Sequence, residues 1–170
     1  GIIGPIGLDQ FSPESIRAKI AASPIASKAK GNVRIAVVTN STYDGLCYNV
    51  PRVLEQLGGW VDRVHFDEAW YGYSRFNPLY AGRQAMSGDP AKHDANGPTV
   101  FCTHSTHKLL AALSQASYIH VRDGRNPIPH PRFNESFMMH GSTSPLYPII
   151  ASNEVAASMM ASARVLPSSS

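Results

Sequence analysis

The 170-residue sequence has little charge, few cysteines and no long apolar segment. Charged residues make up 16% of the chain and hydrophobic residues 43%, a balance that predicts one folded domain rather than a disordered chain. No run of about 18 apolar residues is present, so we expect no membrane span. The first residues, 1–6, lack the basic and apolar regions of a secretory signal.

The cysteine content argues against a disulfide-bonded secreted protein, and the charge distribution argues against a protein that binds nucleic acid or membranes. Cys47 and Cys102 form no Cys-x-x-Cys pair and lie in apolar surroundings typical of buried, reduced thiols, so we expect a cytoplasmic protein. The net charge is +3, but the basic residues are dispersed. Without a basic block or stripe, we expect neither nucleic acid nor a membrane among the partners.

Strand-like segments alternate with helix-like segments along the chain. This alternation predicts an α/β fold with a mainly parallel sheet, in which functional residues gather beyond the carboxyl ends of the strands. The predicted strands are residues 32–40, 60–66, 98–102 and 118–121. Helices are predicted within residues 11–30, over 48–57 and 109–115, and from Ser152 onward, with loops over 71–97 and 122–136.

The polar segment 103–108 follows the third predicted strand and ends in Lys108. Burial and a neighbouring cation such as His107 would favour the neutral amine, which makes Lys108 a candidate Schiff-base lysine. The hydroxyls of Ser105 and Thr106 would suit a phosphate group. Taken by itself, however, the segment is more typical of a polar turn with an exposed lysine.

A metal site is a second interpretation of the same segment. His104 and His107 are three residues apart and Cys102 is close, but an extended chain would place His107 on the face opposite the other two. Zinc usually requires four ligands, and no second cluster in the sequence completes a set. We therefore predict no metal.

Asp67 ends the second predicted strand, where a buried carboxylate needs a cationic partner. The protonated pyridine nitrogen of pyridoxal phosphate is one such partner. A helix N-cap, worth about 1 kcal/mol, is the simpler role and is favoured for Asp67 alone. Because Asp67 and Lys108 follow consecutive strands, the pair favours the cofactor interpretation.

Motifs spread over residues 37–160 resemble the prokaryotic ornithine/lysine/arginine decarboxylase family, which are acid-inducible pyridoxal phosphate enzymes of fold-type I. These motifs are residues 39–45, 65–70, 103–110, 114–121 and 133–145. Segments 67–78 and 118–125 are most similar to the biodegradative arginine decarboxylases. The resemblance implies an α/β fragment of the large domain, aspartate-aminotransferase-like, that binds pyridoxal phosphate.

The resemblance also implies roles for single side chains. Lys108 would form the Schiff base, with His107 beside it, and Asp67 would keep the pyridine nitrogen protonated. Ser105 would bind the cofactor phosphate. Trp70 would wall the cofactor site, with core packing as an equal alternative.

Two further hydroxyls, those of Ser142 and Thr143, would reach the phosphate bound by a partner subunit. Residues 141–143 read Gly-Ser-Thr where the family often has a run of threonines. Because these hydroxyls would act across a subunit boundary, the resemblance implies a homo-oligomer. In this family, dimers build larger rings.

The resemblance implies decarboxylation of a small-molecule substrate, L-arginine, to agmatine and CO2. It also implies a role for this reaction in acid resistance. Lysine and ornithine are the alternative substrates. The family's phosphate cup and ring-stacking histidine are not found before Gly1. We therefore expect residues 1–170 to be part of the cofactor-binding domain. Within it, residues 1–31 would be a helix and linker lead-in, and residues 167–170 a frayed tail. A truncated, non-catalytic remnant that only folds or assembles is the alternative of a different class.

Overall fold

Four strands form one sheet in the order in which they occur along the chain. The computed structural model describes residues 6–162, and the predicted tail at 167–170 lies outside that range. The strands are β1 (Ile35–Thr39), β2 (Arg63–Asp67), β3 (Thr99–His104) and β4 (Tyr118–Arg122). β1, β2 and β3 are parallel, whereas β4 is antiparallel to β3, so the α/β prediction is confirmed with a mixed sheet.

Helices and short 3-10 turns connect and flank the strands. The helices are α1 (Pro13–Ala22), α2 (Val50–Leu57), α3 (Thr106–Leu109), α4 (His130–His140) and α5 (Tyr147–Ser162). The 3-10 turns are Leu8–Phe11, Ala26–Lys28, Gly72–Phe76, Pro78–Tyr80 and Pro90–Lys92. None of the helices within residues 6–162 is long and apolar enough to cross a bilayer.

The starts of α1 and α2 follow from local sequence. Ser12 Oγ accepts a hydrogen bond from the Ser15 amide at 3.2 Å, and Asn49 Oδ1 accepts one from the Arg52 amide at 3.3 Å. Each cap precedes a proline in the first turn, where the missing amide hydrogen costs nothing.

Three predictions about the second half of the chain are wrong. The helix expected over 109–115 stops at Leu109, because the chain then turns and Gln115 adopts a positive φ of 73°. The loop expected over 122–136 becomes α4 at His130, where Pro131 occupies the first turn. The last helix begins at Tyr147 rather than at Ser152, whose Oγ instead accepts a hydrogen bond from the Leu113 amide at 3.0 Å.

The two faces of the sheet differ sharply in burial. One face packs against α2 and contributes the core, whose strand residues are Val38, Val64, Phe66, Val100 and Cys102. The lead-in segment packs on the same core through Leu8, Phe11 and Ile16. The opposite face is open, with Val37 65% and Ile119 41% exposed. Because side chains alternate along a strand, every second residue belongs to this open face.

The two valines at the end of β1 provide a direct test of this division. We expect Val38→Ala to lower the free energy of unfolding by about 2 kcal/mol, because Val38 is 5% exposed and its methyl groups fill the core. Val37→Ala loses the same strand preference but should change stability by less than about 0.5 kcal/mol. Urea unfolding of the two variants measures the difference, and equal losses would contradict the assignment of faces.

Candidate functional site

The carboxyl ends of the three parallel strands meet at one edge of the sheet. Thr39, Asp67 and Thr103 are direct neighbours across the strands. The polar segments that follow them are held together by backbone hydrogen bonds, from the Asn40 amide to the Asp67 carbonyl at 2.8 Å and from the Glu68 amide to the Thr103 carbonyl at 3.0 Å. Sequence segments separated by some 30 residues therefore form one surface, as strand topology predicted.

Asp67 lies on the open face of the sheet and is half-buried. Its Oδ1 accepts a hydrogen bond from the Ala69 amide at 3.1 Å, which stabilises the turn after β2. Within residues 6–162 no lysine, arginine or histidine forms an ion pair with Asp67. The carboxylate thus keeps capacity for a cation that those residues do not supply.

Lys108 is half-buried on α3 and contacts the aromatic ring of Trp70. Its Nζ lies 4.4 Å from the ring centroid, a cation–π contact worth about 0.5–1 kcal/mol. Tyr43 packs edge-on against Trp70, with its ring centroid 5.1 Å from that of Trp70. Trp70 is not a member of the hydrophobic core, and its ring contacts Lys108 at the strand ends.

The other predicted residues of segment 103–108 are placed differently from one another. Ser105 precedes α3, and its hydroxyl makes no capping hydrogen bond to the helix. His107 is exposed, and its Nδ1 donates to the carbonyl of Ala116 at 2.8 Å. This bond directs the ring towards the turn before β4.

Ser142 and Thr143 lie apart from this group, in the exposed turn between α4 and α5. The Ser142 hydroxyl interacts with the backbone of Ser144 at 3.2 Å. Neither side chain forms a hydrogen bond with Asp67, Ser105 or Lys108 among the residues described.

Behind the open face lies a buried polar group, of which the sequence analysis had considered only Cys102 and His104. Its members are Asn40, Glu68, Cys102 and His104, and we call it the Glu68 cluster. Glu68 is fully buried. Its Oε1 accepts hydrogen bonds from Asn40 Nδ2 at 2.7 Å and from the Ala85 amide at 2.8 Å, while Oε2 lies 3.2 Å from Cys102 Sγ and 3.0 Å from His104 Nε2.

A sequence signal for this cluster did exist. Cys102 and His104 lie two residues apart in β3 and so share one face of the sheet. Glu68 directly follows β2 and has no cationic residue beside it in the sequence. What the sequence could not show is that all of these side chains turn towards the same point.

The surroundings of the cluster control the ionisation of its thiol and of a neighbouring imidazole. Burial raises the pKa of the Cys102 thiol well above its usual range, and the negative charge of Glu68 adds to the effect. In the absence of a metal ion the thiol therefore stays protonated and donates to Glu68. Burial also lowers the pKa of His120, and the nearby His104 reinforces this, so His120 is neutral at pH 7.

The fold and this edge define an α/β domain that presents polar and charged side chains where its parallel strands end. The chain belongs to the family described as Orn/Lys/Arg decarboxylase, major domain, which matches residues 1–166. The family resemblance noted in the sequence is thereby confirmed.

Individual relatives are similar over almost the whole chain. It is 60% identical over 161 residues to the biodegradative arginine decarboxylase of Escherichia coli K12, covering 94% of this chain and 21% of that protein. It is 58% identical, with the same coverage, to lysine decarboxylase LdcA of Pseudomonas aeruginosa. The solved structure of Pseudomonas aeruginosa lysine decarboxylase A superimposes with a TM-score of 0.84, and that of the Escherichia coli constitutive lysine decarboxylase, 47% identical, with 0.78.

The chain spans about one fifth of the length of these relatives. Arginine and lysine decarboxylases resemble it to nearly the same degree. Family membership therefore leaves the substrate open.

The two cysteines should differ strongly in reactivity. Cys102 is buried with a raised pKa, whereas Cys47 is half-buried, so we expect iodoacetamide at pH 8 to modify Cys47 at least about tenfold faster. Mass spectrometry of the native chain, kept in a chelator, measures both rates. Denatured chain, in which the two rates should converge, is the control, and preferential labelling of native Cys102 would contradict the assignment.

Proposed function

We propose that the protein containing this chain is a pyridoxal phosphate-dependent decarboxylase of L-arginine, and that the chain is part of a fold-type I cofactor-binding domain. The observation that carries this proposal is the placement of Lys108, against the Trp70 ring, and Asp67 beyond neighbouring parallel strands. An amine and a carboxylate at one sheet edge match the aldehyde and the pyridine nitrogen of the cofactor.

The residues present fit this cofactor in three respects. Asp67 has a carboxylate without a paired cation among residues 6–162, which suits a protonated ring nitrogen. The Ser105 hydroxyl is not used for helix capping and is free to bind a phosphate oxygen. In the described part of the chain the Lys108 amine contacts an aromatic ring rather than an acid, so no salt bridge there must break before it reacts.

In this proposal the chain's own residues bind, orient and move protons. Bound pyridoxal phosphate supplies the electron sink that stabilises the carbanion left when CO2 departs. Asp67 would hold a proton at the pyridine nitrogen, and Ser105 would bind the phosphate. Lys108 would hold the cofactor and, as a general acid, would return a proton to the substrate Cα. Trp70 orients Lys108 and excludes water from that side.

The remaining predicted residues are proposed to act near or beyond this centre. His107 lies one residue before Lys108 and would neighbour the phosphate. Ser142 and Thr143 are exposed and, among residues 6–162, form no hydrogen bond with Asp67, Ser105 or Lys108, so both hydroxyls are available to the phosphate site of a partner subunit in a homo-oligomer.

A trapping experiment tests whether Lys108 is the reactive amine. We expect pyridoxal phosphate followed by borohydride to label Lys108 in the folded chain, because the residue is half-buried and forms no salt bridge within residues 6–162. Peptide mapping locates the label, and Lys108→Ala should lose it. Lys92→Ala is the matched control, because Lys92 is exposed beside Asp89 and should not affect labelling.

Random labelling of exposed lysines, or a label that survives Lys108→Ala, would contradict the assignment of the amine. A folded chain without any specific label would favour the non-catalytic remnant instead.

Substrate choice is tested by turnover of the whole protein. We expect kcat/KM for L-arginine to exceed that for L-lysine and L-ornithine by at least about tenfold, a difference of about 1.4 kcal/mol in transition-state binding. The support is the arginine-decarboxylase-like segments 67–78 and 118–125 together with the relative that is 60% identical. Agmatine, cadaverine and putrescine are quantified by mass spectrometry, and a preference for lysine would overturn the choice of arginine.

A further inference from the structure

Three potential metal ligands converge on one buried point behind the strand ends. They are Oε2 of Glu68, Sγ of Cys102 and Nε2 of His104, which lie within 4.8 Å of one another. The separations are 3.2 Å from sulfur to carboxylate, 3.2 Å from sulfur to imidazole and 3.0 Å from imidazole to carboxylate. We propose that Glu68, Cys102 and His104 form a binding site for a divalent transition metal ion, with Zn²⁺ as the best match.

The spacing of the three atoms suits a tetrahedral ion. Bonds of about 2.0–2.3 Å from zinc to oxygen, nitrogen and sulfur imply separations of about 3.3–3.6 Å between ligand atoms. The three atoms form a nearly equilateral triangle and need to move apart by only a few tenths of an ångström. His104 and Cys102 lie two residues apart on β3 and so share one face of the sheet. Rotation of their side chains is enough for this movement.

The charge and chemistry of the ligands also suit such an ion. A carboxylate, a thiolate and a neutral imidazole carry two negative charges, which a divalent ion balances completely. This matters because Glu68 and Cys102 are both fully buried, where an uncompensated charge is costly. A thiolate with an imidazole favours zinc over the hard ions magnesium and calcium.

The surroundings supply the support that metal sites require. Asn40 Nδ2 and the Ala85 amide hold the second oxygen of Glu68, so the carboxylate is oriented before an ion arrives. A cavity of about 390 Å³ borders His104, and a fourth ligand would reach the ion from this side. His120 also lines this cavity, with its ring centroid 5.0 Å from that of His104.

This site is on the buried face of the sheet, whereas Asp67 is on the open face. Its occupation therefore requires no pyridoxal phosphate, and the inference stands independently of the proposed decarboxylase activity. The competing arrangement is a metal-free one, in which the Cys102 thiol and a His104 N–H both donate to Glu68.

Cobalt(II) is the probe that separates the two arrangements. The untagged 170-residue chain is freed of metal with a chelator and titrated with CoCl2, and a charge-transfer band in the near ultraviolet reports a bond between cobalt and thiolate. We expect one equivalent to bind and to give this band. Zn²⁺ should then displace the cobalt and abolish the band.

The two cysteines provide the matched control. Cys102→Ser, which changes one buried atom, should abolish the band, whereas Cys47→Ser should retain it. Loss of an outer-shell partner weakens metal affinity by about 10–100-fold. Glu68→Gln and His104→Gln each remove a direct ligand and should weaken cobalt affinity by more than this. Circular dichroism establishes that each variant is folded, and equilibrium dialysis of the two glutamine variants decides the matter if the serine variant does not fold.

The absence of a band in the folded, reduced wild-type chain would overturn the proposal in favour of the metal-free hydrogen bonds. A band that is lost in Cys47→Ser and kept in Cys102→Ser would overturn it equally, by placing the ion elsewhere.

Discussion

The carboxylate of Glu68 is a buried charge on which the arrangement of the strand ends depends. A buried carboxylate costs several kcal/mol unless hydrogen bonds compensate both oxygens. Here Asn40 and the Ala85 amide satisfy one oxygen, and Cys102 and His104 face the other. These partners come from beyond β1, from the long loop and from β3, so a single charge holds three parts of the chain at fixed positions.

This constraint reaches the open face because Asp67 and Glu68 are consecutive. With Glu68 held inside, the alternation of side chains along β2 directs Asp67 to the opposite face. His104 has the same effect on the chain that follows β3, since it is fixed to Glu68 at the point where Ser105 begins the turn into α3. The position of Lys108 against Trp70 thus rests on contacts made on the far side of the sheet.

Sequence patterns predicted most of the first half of the fold and less of the second. The β-branched run within residues 32–40 predicted β1, and the prolines near the starts of α1 and α2 indicated those helices, because these features act within a few residues. The helix expected over 109–115 fails for a different reason. A helix of so few residues is marginal on its own, and contacts with α5, from the Leu113 amide to Ser152 and from the preceding Thr106 to Asn153, hold that part of the chain in a turn.

Periodicity and ordered motifs are local properties, and they were enough for the α/β class, the family and the positions of Asp67 and Lys108 beyond consecutive strands. The antiparallel direction of β4, the contact of Trp70 with Lys108 and the meeting of Glu68 with Cys102 and His104 depend on the folded chain. The partners of Glu68 lie 17 to 36 residues away along the chain. Their meeting is imposed by the pairing of parallel strands and the need to satisfy a buried charge, neither of which any local pattern records.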